Sequence, residues 1–305
     1  MVEINSELVK KVDLKELNAD AVVRENISYW QDAWRRLKKN PIAMSALVVL
    51  IMIICLVIIG PRIKGLDYIT ISAQDKNLSP DSQYWFGTDG LGRDLFSRVW
   101  VGARISITVA LLATLVEVVI GCIYGSIMAY FGGVVDEIMM RVIEVLNSIP
   151  SLIVTILIMV VLGNGIVPLL FALCLTAWTG TARMIRGQIL QLRESEYVLA
   201  AQTLGASNAR VIAKHLLPNT IGLLILNISS NIPAVIFSET SLSFLGIGLQ
   251  PPYFSLGTLI SLGQQQMSFY PYQLLFPAGT LCLIVLAFNL LGDGLRDALD
   301  PRLRQ

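Results

Sequence analysis

Apolar residues along this chain gather into long unbroken runs instead of alternating with polar ones. Six stretches carry the pattern: 42–59, about 105–130, 142–162, 166–182, 221–245 and 274–291. A bilayer core is about 30 Å thick, and a helix crosses it with about 20 apolar residues. Only helices and closed barrels satisfy their backbone polar groups in lipid. A barrel strand would alternate apolar and polar positions, and these runs do not. The pattern predicts an all-α, polytopic membrane protein with six transmembrane helices. The first run is uncharged and bracketed by Pro41 and Pro61. The polar and charged stretch before it argues against a cleaved signal peptide.

Just ahead of that run, Ile27, Trp30, Trp34 and Leu37 recur at helical spacing beside Arg35, Arg36, Lys38 and Lys39. A tryptophan-bearing stripe with basic flanks suits a helix lying in the membrane interface. Residues 1–23 are mostly polar, and disorder is expected there.

Composition agrees with a membrane protein. Hydrophobic residues make up 54% and charged residues 15%, against about 25% charged in soluble domains. A net charge of +1 provides no basic stripe, so nucleic acid is not an expected partner. The four cysteines lie inside apolar runs and form no CxxC pair, which predicts neither disulfides nor zinc. His215 is the single histidine. A metal site or an intramembrane enzyme has almost nothing to draw on, and catalytic residues are expected to be absent.

Basic residues orient the chain. Seventeen of the 23 Lys and Arg fall in segments 1–41, 131–141, 183–220 and 292–305. The other six fall in 60–104, and none in 163–165 or 246–273. The positive-inside rule puts the first set, with both termini, in the cytoplasm. The division is a cytoplasmic N-terminal segment 1–41, a first span 42–59, an extracytoplasmic loop 60–104, a core 105–292 and a cytoplasmic tail 293–305.

Segment 183–220 is too structured to be a connector. Residues 196–204 read as a short helix, Gly205 interrupts it, and Ala206-Ser207-Asn208 offers turn and N-cap chemistry. Residues 209–217 read as a second helix, which Pro218 is expected to end. Small residues at Ala200, Ala201, Gly205 and Ala206 allow another backbone to approach closely. Such an element either seats on a soluble partner or packs on its own helix ends.

The string YVLAAQTLGASNARVIAKHLLPN, residues 197–219, resembles the EAA loop of type-I ABC importer permeases. Ala200, Ala201, Gly205, Leu217 and Pro218 fall on that pattern, while Leu199 replaces its glutamate and His215 its isoleucine. Three further strings resemble the C-type permease of peptide importers: WFGTDGLGRDLFSRVWVGARIS (85–106), SLSFLGIGLQPP (241–252) and FNLLGDGLRDALDPRLRQ (288–305). The resemblance covers roughly residues 30–305 and implies a binding-protein-dependent type-I transmembrane fold in the cell membrane. The oligopeptide branch fits better by overall similarity than the dipeptide or nickel branches. The resemblance implies that Glu196, Tyr197, Ala200, Ala201, Gly205, Ala206, His215, Leu217 and Pro218 form a coupling element on an ATP-binding subunit. It also implies a second homologous permease subunit, two ATP-binding subunits and an extracytoplasmic peptide-binding protein around a peptide pathway in lipid. No cofactor is expected in this chain, since ATP and Mg would sit on the partner subunits. The chain has no GxxxxGK[ST] motif, and a thousandfold gradient costs about 4 kcal/mol. The alternatives are a dipeptide or nickel importer permease and, from another class, a stand-alone ion-driven carrier or channel.

Three acids interrupt the spans: Glu117, Glu144 and Glu239. A charge at the bilayer centre costs about 2.5–3.5 kcal/mol on insertion scales, so each should face protein or water. Glu144 beside Arg141 reads as an interfacial pair. Span 221–245 is unusually polar, and Asn227, Asn231, Ser238 and Glu239 are its candidates for a pathway or a helix interface. Pro150 and Pro233 permit kinks, and Gly121 with Gly125 forms a GxxxG pair suited to close packing. Gly87, Gly90 and Gly92 match no phosphate-binding spacing; a turn at Asp89-Gly90 leading into an amphipathic helix accounts for them better. The uncharged outer segment 246–273 reads as a snug loop, a membrane-surface element or a contact for a binding protein.

Overall fold

A computed structural model describes residues 29–63, 65 and 68–299. The expected disorder of 1–23, the position of Ile27 and the end of the tail lie outside the described residues. The described chain is helical; an isolated bridge between Thr88 and Asp94 is the extent of β pairing among these residues. The helices are α1 (Tyr29–Lys39), α2 (Pro41–Ile63), α3 (Leu95–Phe131), α4 (Gly133–Ser148), α5 (Ser151–Leu162), α6 (Ile166–Arg193) and α7 (Glu196–Thr203). They continue with α8 (Asn208–Phe244), α9 (Leu256–Gln265) and α10 (Tyr272–Leu299). Five are long and apolar enough to span a bilayer, and α4 with α5 makes a sixth if the bent pair counts as one span.

Helix α3 begins where the Asp94 carboxylate accepts the Ser97 backbone N–H at 2.8 Å, an N-cap that satisfies one of the orphan donors. Its opening turns carry Leu95, Phe96, Val99, Trp100 and Ala103, all buried against Ile53 and Val57 of α2 and Ile284 of α10. The expected amphipathic helix and second span are therefore one continuous rod. Further along, Gly121 and Gly125 sit against α6, where an added Cβ would meet Thr181 and the Ala182 backbone. The glycines ahead of α3 make a turn, with the Gly92 N–H donating to Asp89 O at 2.9 Å.

The expected single helix over 142–162 is corrected. Helices α4 and α5 meet at an 80° bend. Pro150 has no N–H to offer, and the residue before a proline is pushed out of the α region. Ile149 accordingly takes φ −96° and ψ 127°. The 12 residues of α5 reach only about 18 Å at 1.5 Å per residue, too short to cross alone.

Pro218 does not end a helix as expected. Residues Val211–Leu216 form a π turn, and the Leu217 N–H donates to Ile212 O, five residues back. The wider turn removes the i−4 clash that a proline ring makes in a regular helix, so the rod continues to Phe244. Helix α6 likewise extends to Arg193, beyond the expected end at 182, and α10 to Leu299, beyond 291. Short helix α9 lies within segment 246–273 and opens on a capping box between Ser255 and Thr258.

Candidate coupling segment and intramembrane groove

Three apolar residues on one side of α7 and the start of α8 decide how the 196–218 element sits. Val198, Val211 and Leu216 are fully buried, with Ile185 and Ile189 of α6 and Ala129 of α3. The element is thereby fastened to the ends of two spanning helices. Arg193 strengthens the junction by donating from Nη1 to the Ala129 carbonyl at 3.0 Å, an orphan acceptor at the C-terminal end of α3. Tyr130 donates its hydroxyl to Asn208 Oδ1 at 2.8 Å.

The opposite side is open. Glu196, Tyr197, Ala200, Gly205 and Pro218 are exposed; Ala201, Ala206, His215 and Leu217 are half-buried. Gly205 turns the chain with φ +81°, a conformation in which a Cβ is disfavoured. Its N–H donates to Gln202 O, and the next N–H, from Ala206, reaches Ala201 O at 3.0 Å. Beside it, Leu204 is 88% exposed. Tyr197 and Leu199 add two more exposed apolar side chains. Large apolar residues exposed at the tip of such an element mark an interaction surface. Leu204 escapes a motif-based reading because it lies between motif positions, and Leu199 was read only as the residue that replaces the motif's glutamate. The available signal was a leucine directly before a helix-stopping glycine, with nothing in the loop to cover it.

The polar residues of span 221–245 divide into two groups. Asn227 and Asn231, both half-buried, belong to a network with the buried Glu117 and Thr181. Asn231 Nδ2 donates to Glu117 Oε1 at 2.7 Å and lies 3.1 Å from Asn227 Oδ1. The Thr181 hydroxyl is 2.9 Å from Glu117 Oε1 and 3.2 Å from Asn227 Oδ1. Three helices, α3, α6 and α8, thus share one carboxylate. Glu239 sits apart, 0% exposed, and accepts from the hydroxyls of Ser106 at 2.8 Å and Ser243 at 2.7 Å. Those bonds supply the partners that a buried carboxylate requires. Ser238 is exposed and donates to Ala234 O at 2.9 Å.

Ser238 faces a groove of about 550 Å³ bounded by α3, the α4–α5 bend, α6 and α8. Its wall includes Glu117, Asn147, Pro150 and Thr176. Glu239, Asn227 and Asn231 do not line it. The Pro150 bend opens this recess by turning the chain across the face of α6 and α8. Arg141 and Glu144, paired at 2.6 Å, are both exposed. Arg186 of α6 holds Asp136 of α4 through two hydrogen bonds.

A helical multi-pass body, a groove flanked by a broken helix and an apolar tip fastened to the spanning helices together define a membrane transport component. Residues 118–305 match the family described as binding-protein-dependent transport system inner membrane component. Residues 28–80 match the N-terminal TM domain of oligopeptide transport permease C. The chain is 48% identical to the dipeptide transport system permease protein of Bacillus subtilis over 95% of its length and 91% of the relative's. It is 44% identical to the oligopeptide transport system permease protein of the same organism, with 94% of each chain covered. Identity to the Escherichia coli K12 oligopeptide transport system permease protein is 43%, over 91% of this chain and 93% of that one. The chain belongs to the binding-protein-dependent transport inner membrane component family. It is a multi-pass membrane protein, a transport component that is not itself a catalyst.

Proposed function

We propose that this chain is the membrane-spanning permease subunit of an ATP-driven peptide importer, with oligopeptides as substrate. Relatives named for dipeptides and for oligopeptides support peptide as the class. In this reading a second, similar permease chain faces the groove and completes the pathway. Two ATP-binding subunits, which carry the ATP and Mg, dock on the cytoplasmic side, and an extracytoplasmic binding protein delivers the peptide. Both termini are cytoplasmic, as the distribution of basic residues favours.

The observation that carries the reading is the tip at Leu204. It is water-facing and apolar, yet the same element buries Val198, Val211 and Leu216 against α6 and α3. A push on the tip therefore moves those helices, because packed interiors transmit displacement instead of absorbing it. Helices α6 and α8 bound the groove, so closure of the ATP-binding subunits on nucleotide alternates the groove's access between the two sides.

A cysteine at Leu204 tests this. In the assembled transporter it should crosslink to an ATP-binding subunit, and Leu204→Asp should abolish ATP-dependent uptake in reconstituted vesicles while leaving the subunit inserted. Transport by the purified chain without ATP-binding subunits would refute the reading in favour of a stand-alone carrier or channel.

A further inference from the structure

Glu117 has an arrangement that a purely structural carboxylate does not need. The side chain is 5% exposed. Both hydrogen bonds that it receives, from Thr181 at 2.9 Å and Asn231 at 2.7 Å, converge on Oε1. Its second oxygen, Oε2, has no hydrogen-bond partner among the described residues. The residue lines the groove of about 550 Å³, whose wall is otherwise made of apolar, hydroxyl and amide side chains such as Ala113, Asn147, Thr176 and Ser238. Among the described residues, no lysine, arginine or histidine lines that groove. A fully structural acid in such surroundings has both oxygens paired, as Glu239 has with Ser106 and Ser243. A carboxylate in a membrane helix with a half-open bonding shell points to a cationic ligand, because ionisable groups there are costly unless paired.

We propose that Glu117 is a substrate-recognition residue that receives the ammonium group of a peptide's free amino terminus as the peptide passes through the groove. The inference rests on the peptide-importer reading above. Thr181 and Asn231 hold Oε1 and leave Oε2 free of a hydrogen bond on a residue that lines the groove. The ammonium presents three donors, and the groove's hydroxyl and amide side chains accept those that Glu117 leaves. An amino terminus is the one cation that every unblocked peptide carries whatever its sequence, so a single acid here accepts many peptides. A charge-assisted hydrogen bond is about twice as strong as a neutral one.

The experiment uses the complete transporter in vesicles, with its ATP-binding subunits and binding protein, and two probes: a tripeptide with a free amino terminus and its N-acetylated form. Both are supplied at concentrations that saturate the binding protein, and each variant is compared with the wild type on each peptide. Glu117→Gln keeps the shape and the acceptor for Thr181 and Asn231 but removes the charge. It should lower uptake of the free peptide about tenfold or more and change that of the acetylated peptide less than twofold. Glu117→Asp, which keeps the charge but withdraws it by one methylene, should show the same selectivity with a smaller loss. Equal losses on both peptides, or no loss on either, in either variant would overturn the recognition role. A wild-type complex that imports neither peptide would instead overturn the peptide-importer reading and, with it, this inference.

Discussion

Replacing Gly125 with alanine tests how closely α3 and α6 must pack. At Gly125 an alanine Cβ would lie 3.1 Å from both the carbonyl carbon and the Cα of Ala182 and would overlap its carbonyl oxygen. The obstructing atoms are backbone, so no rotamer change relieves them. The helices must separate or α3 must turn, and the neighbouring Met128, Ala129 and Ala182 are buried too tightly to follow without loss. Overpacking of this kind costs about 1–3 kcal/mol. Exchanging glycine for alanine inside a helix returns about 0.5–1 kcal/mol. The net expectation is a destabilisation of about 0–2.5 kcal/mol, centred a little above 1. Gly180 on α6 is the control, since a Cβ there meets nothing within 4 Å. Thermal unfolding of the detergent-purified protein should show Gly125→Ala melting below the wild type and Gly180→Ala melting at or above it. Equal midpoints for the two variants would refute the close-packing argument.

Three further outcomes follow from particular contacts. Gly205→Leu places a branched side chain at φ +81° on an exposed tip; insertion should persist while ATP hydrolysis runs without uptake, and normal import in reconstituted vesicles would exclude a coupling role. Glu239→Leu removes the acceptor shared by Ser106 and Ser243 and should cut the amount of folded protein far more than Glu239→Gln, which keeps an acceptor; equal yields on size-exclusion chromatography would show that the buried hydroxyls do not depend on it. Arg186→Ala and Asp136→Ala should each destabilise by about 1 kcal/mol, a modest figure because the pair is partly exposed. A double-mutant cycle giving zero coupling between them would contradict the two-bond geometry.

Long apolar runs, capping residues and prolines are local signals, and the helical class with five of its spanning segments is legible from them. Residues 42–59 and 274–291 lie inside α2 and α10 because an uncharged run of that length has no other way to satisfy its backbone in lipid. Segments 196–204 and 209–217 were readable as helices because Gly205 needs a left-handed conformation that other residues avoid. Pro150 was readable as a kink site, but how far each proline would break its helix was not. Pro150 splits α4 from α5, whereas Pro218 leaves α8 unbroken, since a π turn ahead of it reroutes the hydrogen bonds. Which outcome follows depends on what each helix packs against. The sharing of the acids was equally a tertiary matter. Glu117 and Glu239 look alike in sequence, each a lone acid in a span. Only the approach of α6 and α8 gives Glu117 two donors on a single oxygen and a groove on its other side, and only the approach of α3 and α8 seals Glu239 between two serines. Hydrophobic periodicity records which residues leave water, but the partner that each buried charge meets is set by helices far apart in the chain, and no local pattern encodes that distance.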